Sequence, residues 1–137
     1  MRASRYIRGI PMDAFERSAT DKTPYVLLDQ KLGLLEVRGC SIHENADRFF
    51  QPLIEMVEAY AQEPAEKTLV KFMLTYFNSS SAKYLLDLLK VFDELHASGK
   101  SPVSMEWVYE EGDLNMEEAG ADFQGLLDFP VKLIEVP

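Results

Sequence analysis

Three consecutive hydroxyls stand at Ser79, Ser80 and Ser81, directly after Asn78 and at the head of an amphipathic stretch. Small polar residues of this kind are good helix N-caps, and the unpaired N–H groups of a first helical turn favour negative charge. Two chemistries are open to them: a helix cap made by one of the serines, or an anion site in which one hydroxyl carries a phosphate. A phosphoserine brings about −1.5 to −2 charges at pH 7. A helix N-terminus stabilises a negative group by about 0.3–1 kcal/mol, so the fold would tolerate the modification while a docking surface gained charge. From chemistry alone the phosphate does not outrank the serine cap.

The other chemistries have thinner support. Hydrolysis by a serine needs a base, and the histidines are His43 and His96. His96 falls near a helix C-terminus, where a cation is favourable, and His43 falls in a polar turn before a helix. A Ser79–His43 pair lacks a G-x-S-x-G turn and an acid spaced to orient the imidazole, which makes a small hydrolase the weakest reading. Glu110, Glu111, Asp113, Glu117, Glu118 and Asp122 form an acidic run without calcium-loop spacing; such a run is a solvated face suited to docking a basic partner. The seven glycines are scattered and give no phosphate-cradling loop. Cys40, the single cysteine, excludes an internal disulfide and a multi-thiolate metal site. No cofactor, metal or enzymatic activity is expected.

The elements that must position the serines are legible on either side of them. Leu69 to Phe77 is an apolar strand, with Val70, Phe72, Leu74 and Tyr76 on one face and Leu69, Met73 and Phe77 on the other, as suits a central strand covered on both sides. A helix follows over Ser81 to His96, with Leu85, Leu88, Leu89, Phe92 and Leu95 at helical spacing and Lys83, Asp87, Lys90 and Glu94 opposite. Upstream, Tyr25–Leu28 and Leu34–Arg38 read as a hairpin. Gly39 to Asn45 breaks the second strand, and a helix runs on to about Gln62. Ser41 with Glu44 fits a capping box for that helix, with Asn45 an equal candidate, and Pro52 kinks the helix or marks its first turn. Downstream come a strand over Val103 to Tyr109, an acidic loop with a short helix that Asn115 and Glu118 could cap, and a last strand over Val131 to Val136. The order β-β-α-β-α-β-α-β implies an α/β domain with a mixed, mostly parallel sheet, an N-terminal β-hairpin and about three helices.

With 137 residues and 47% hydrophobic content the chain fits one domain. Residues 1–24 show no sustained period and read as an irregular N-terminal arm leading into a domain over 25–137. No apolar run is long enough to span a bilayer and the N-terminus lacks a signal-peptide core, so a cytoplasmic protein is expected. A formal charge of −9 disfavours nucleic acid and anionic membranes as partners. Five bases and three acids give Met1–Pro24 a net +2, which leaves −11 on the remainder. Protein partners with basic faces fit that balance.

Three segments, TDKTPYVLLDQKLGLLEVRGCSIHENA, LTYFNSSSAKYLLDLL and WVYEEGDLNMEEAGADFQGLLDFP, resemble the SiaC family of regulatory phosphoproteins. YFNSSSAKYLLD is the most specific of the matching pieces, and the likeness runs from about Ser18 to the C-terminus. The resemblance implies a single STAS-like domain, similar to anti-sigma-factor antagonists, with a switch hydroxyl at the start of a sheet-packed helix. It further implies phosphorylation of the residue after the asparagine by a partner kinase of histidine-kinase-like ATPase fold, removal by a PP2C-type phosphatase, and binding of a diguanylate cyclase by the unmodified form. Carried over, that residue is Ser79, with Ser80 as the second choice because serine replaces the family's threonine here. Asn78, Ser80, Ser81, Lys83, His43, Glu44 and Asn45 would form the partner-binding surface; His43 stands where the family usually has proline.

Overall fold

The computed structural model describes residues 6–7, 10–11 and 14–137, with side chains from residue 14 onward. β1 (Tyr6–Ile7) and β2 (Ile10–Pro11) pair as a short antiparallel ribbon. β3 (Ala14–Arg17), β4 (Tyr25–Asp29), β5 (Leu34–Ser41), α1 (Ala46–Gln62), β6 (Thr68–Phe77), α2 (Ser79–Ser98), β7 (Val103–Glu110), α3 (Leu114–Leu126) and β8 (Val131–Val136) follow. The six-stranded sheet runs in the order β3-β4-β5-β6-β7-β8. Its first two junctions are antiparallel and the other three parallel. The α/β class, the hairpin, the three helices and the mostly parallel sheet are as the patterning implied.

The arm is less irregular than expected. Ala14–Arg17 pairs antiparallel with β4, from Ala14 opposite Asp29 to Arg17 opposite Val26. Four residues are too few to show a period, yet the outer edge of β4 presents unpaired N–H and C=O groups that a passing segment satisfies. Residues 1–5, 8–9 and 12–13 of the expected arm lie outside the described residues.

The central strand is not covered on both sides. From β5 to β8 every strand is laid down next to its predecessor in one direction, and right-handed crossovers then place all three helices on one face. Val70, Phe72 and Leu74 of β6 are at most 3% exposed and join one core with Phe50, Leu53 and Val57 of α1, Leu85, Leu88, Leu89 and Phe92 of α2, and Met116 and Phe123 of α3. On the opposite face Met73 is 37% exposed. There Glu36, Lys71, Glu106 and Lys132 lie side by side in register, one from each of four adjacent strands, with alternating charge. The open face is therefore wet, as an uncovered sheet face must be.

Strand alternation fails at one point, close to the end of β6. Gly39 pairs with Leu74 but Cys40 pairs with Tyr76, so Thr75 has no partner on β5. An extra residue of this kind inverts the facing of everything after it. Tyr76, expected inward with Phe72, is 58% exposed. Phe77, expected on the other face, turns into the core at 6.3 Å from the Trp107 ring and 6.4 Å from Phe123. The bulge thus ends β6 with an inward anchor just before Asn78.

Candidate functional site

Asn78 sits where β6 ends and caps α2, with an extended backbone and its Oδ1 accepting from the Ser81 N–H at 3.0 Å. The cap is the asparagine and not one of the serines, and α2 begins two residues earlier than its periodicity indicated. Asn78 has several further ties. Its Oδ1 also accepts from the Ser80 hydroxyl at 3.2 Å, its N–H donates to the Ser41 carbonyl at 3.0 Å, and its Nδ2 donates to the His43 carbonyl at 3.3 Å. One residue therefore holds the start of α2 against the turn that leads into α1.

The three serines differ sharply. Ser81 is fully buried; its hydroxyl donates to the Ser41 carbonyl at 2.9 Å, and it accepts from the Ser41 hydroxyl at 2.8 Å. Ser41 itself is fully buried at the end of β5, so it does not take part in a capping box. Sequence reasoning missed it as a site residue, because nothing local marks a contact across 40 positions. Ser80 is exposed but hydrogen-bonded to Asn78. Ser79 is exposed, and among the described residues its hydroxyl makes no hydrogen bond. The first turn of α2 holds no acid, so the positive end of its dipole is uncompensated there.

The turn before α1 lies alongside. Asn45 is its cap, with Oδ1 accepting from the Arg48 N–H at 3.2 Å. Pro52 lies inside the helix, beyond the first turn. Glu44 is exposed and pairs with Lys22 at 3.3 Å. Lys83 is exposed beside Tyr84, its Nζ 5.4 Å from the ring centroid. Tyr84 stacks on Phe50 at 5.8 Å and donates to Asp47 at 2.9 Å, fastening α2 to α1. Of the expected partner-binding residues, Ser80, Lys83, Glu44 and Asn45 are exposed. Ser81 and His43 are buried and shape the surface from beneath, because their polar atoms or rings are turned into the protein.

His43 is 7% exposed, its ring 4.5 Å from Phe49 and 5.3 Å from Phe50. Its Nε2 is buried with no hydrogen-bond partner among the described residues, so the nucleophile–base pair that a Ser79 hydrolase requires is not formed. Burial pushes the imidazole below its usual titration range by disfavouring the charged form. The unfolded chain, titrating near about 6.5, then binds the proton first as pH falls. The stability from a neutral His43 is present above that pH and is lost as pH drops through it. Replacing His43 with phenylalanine is expected to flatten the decline in melting temperature between about pH 7 and pH 5; parallel declines in the two proteins would contradict this assignment.

His96 and the acidic run have structural places. His96 Nδ1 accepts from the Val103 N–H at 3.0 Å, at the far end of α2 from the serines. Asp113, and not Asn115, caps α3 by accepting from the Met116 N–H at 3.1 Å, and Glu117 accepts from the Tyr109 hydroxyl at 3.1 Å. Among the described residues no three His, Cys, Asp or Glu side chains gather as a metal shell.

A one-sided, mostly parallel six-stranded sheet under three helices, with an asparagine-capped serine corner at the head of α2, defines a small mixed α/β domain. The family model for SiaC family regulatory phosphoproteins matches residues 17–136, and the chain belongs to that family. An uncharacterised protein of Pseudomonas aeruginosa is 31% identical over 111 residues, which span 81% of this chain and 87% of that protein. SiaC of Pseudomonas aeruginosa superposes with a TM-score of 0.83 at 28% identity, covering 90% of this chain and 98% of SiaC. A chain from the crystal structure of the diguanylate cyclase SiaD in complex with its activator SiaC, also from Pseudomonas aeruginosa, gives a TM-score of 0.83 at 28% identity, over 89% of this chain and 99% of that one.

Proposed function

We propose that this protein is a phosphorylation-controlled binding switch of bacterial signalling rather than an enzyme. A partner kinase of histidine-kinase-like ATPase fold transfers phosphate to Ser79, a PP2C-type phosphatase removes it, and the unmodified form binds an effector such as a diguanylate cyclase. The observation that carries this reading is the state of Ser79: exposed, at the first position of α2, with a hydroxyl unbonded among the described residues. The Ser81 and Ala82 N–H groups are held by Asn78, while Ser79 and Ser80 are the remaining donors of the first turn, suited to a phosphate on Ser79. The exposed residues Ser80, Lys83, Glu44 and Asn45 surround it as the partner surface, and phosphate adds charge and bulk at its centre. The cytoplasm, where kinases have ATP, is the compartment this role needs. Among the described residues no helix is long and apolar enough to cross a membrane.

Incubation with the partner kinase and ATP, followed by intact-mass measurement and peptide mapping, tests the reading. One phosphate on Ser79 and weaker capture of the cyclase by the modified form are expected. A protein that takes no phosphate on Ser79 or Ser80, yet still binds its partners, would be a plain interaction module whose serines only shape the helix start.

A further inference from the structure

Three adjacent serines offer a kinase three chemically equal hydroxyls, and the corner makes them unequal. Ser81 is out of reach: it is fully buried and bonded to both the hydroxyl and the carbonyl of Ser41. Ser80 and Ser79 are both exposed, so burial does not separate those two. What separates them is Asn78, whose Oδ1 accepts the Ser80 hydroxyl proton at 3.2 Å while also holding the Ser81 N–H at 3.0 Å. Asn78 is itself fixed from the other side by its N–H on the Ser41 carbonyl and its Nδ2 on the His43 carbonyl.

We propose that Asn78 is the positioning residue that assigns the phosphate to Ser79, by tying up the hydroxyl of Ser80. The inference rests on the phosphorylation switch proposed for this corner. In the transfer, the serine Oγ attacks the γ-phosphorus of ATP, the new Oγ–P bond forms as the bond from the γ-phosphorus to the β,γ-bridging oxygen breaks, ADP leaves, and the hydroxyl proton passes to the kinase. Ser80 must first give up its bond to Asn78 and rotate, whereas Ser79 presents a hydroxyl with no hydrogen bond among the described residues. A hydrogen bond of ordinary strength controls a ratio of about fivefold.

The test is the distribution of phosphate between Ser79 and Ser80, read by fragment mass spectrometry after treatment with the partner kinase and ATP. Asn78→Ala is expected to raise the Ser80-to-Ser79 phosphate ratio about fivefold relative to the wild type. Asn78→Asp keeps an Oδ acceptor and is expected to keep the phosphate on Ser79, although its charge slows the transfer. Ser41→Ala loosens the same corner without touching the Asn78–Ser80 bond, and is expected to leave the ratio unchanged. A ratio unmoved in Asn78→Ala, or moved equally in Asn78→Asp or Ser41→Ala, overturns the assignment while the switch itself stands. A wild type that takes no phosphate on either serine overturns both.

Discussion

Ser79→Ala is expected to reduce phosphate incorporation to the minor part that Ser80 takes, while leaving the protein as stable as the wild type. Ser79 is exposed and its side chain makes no bond among the described residues; Asn78, not Ser79, caps the helix. Substitutions of that kind stay within about 0.5 kcal/mol, which for a domain of this size is a shift of about 2 °C in melting temperature. The alanine variant should bind the effector constitutively. Ser79→Asp carries one charge where phosphate brings about two, so it should weaken effector binding only partly. A Ser79→Asp protein that binds every partner as the wild type does would point to a module that phosphorylation does not control. A melting temperature lowered by many degrees in Ser79→Ala would mean that the hydroxyl has a structural role.

Gly120→Val is expected to be strongly destabilising. Gly120 lies where α3 crosses β7, and a Cβ there would stand 2.5 Å from Cδ1 of Trp107 and 2.8 Å from Cδ2 of Leu133. The indole is 1% exposed and fixed, with Nε1 donating to the Met116 carbonyl at 2.8 Å, so it cannot swing aside. Replacing a mid-helix glycine with alanine ordinarily gains about 1 kcal/mol, but overpacking costs about 1–3 kcal/mol. Valine gains less from propensity and adds two methyls, which brings the expected loss to about 3 kcal/mol. Chemical denaturation measures it, and Trp107, the sole tryptophan, should report the displacement of α3 by a red-shifted emission. Unchanged stability and emission would show that α3 can slide away from β7 at no cost.

Local pattern made the fold class and most element positions legible in the sequence. The alternation of Val103, Met105, Trp107 and Tyr109 and the helical spacing of Leu85, Leu88, Leu89 and Phe92 are intrinsic to short windows, and both survive in the structure. What was hidden depends on the backbone of distant segments. The Thr75 bulge that turns Tyr76 outward exists only through pairing with β5. The one-sided helix layer comes from strand order, which no window of sequence contains. β3 is a strand because β4 offers it an edge. At the site, the serine corner was visible as a cluster of small polar residues, and the family resemblance directed attention to Ser79. The role of Ser41 was not visible, because its only signal is a contact that the assembled sheet creates.

Because Ser41 reaches Ser81 only across the β5–β6 junction, the corner does not exist until that junction has formed. In the unfolded chain Ser79, Ser80 and Ser81 are three interchangeable hydroxyls in a flexible stretch. Ser81 is set apart from the other two only after β5 has aligned beside β6 and Ser41 has closed over it, a long-range closure of the slow kind that parallel pairing requires. The removal of Ser81 from reach is thus a property of the completed fold and not of the local sequence. A nascent or damaged molecule would present three accessible hydroxyls at this corner where an intact one presents two.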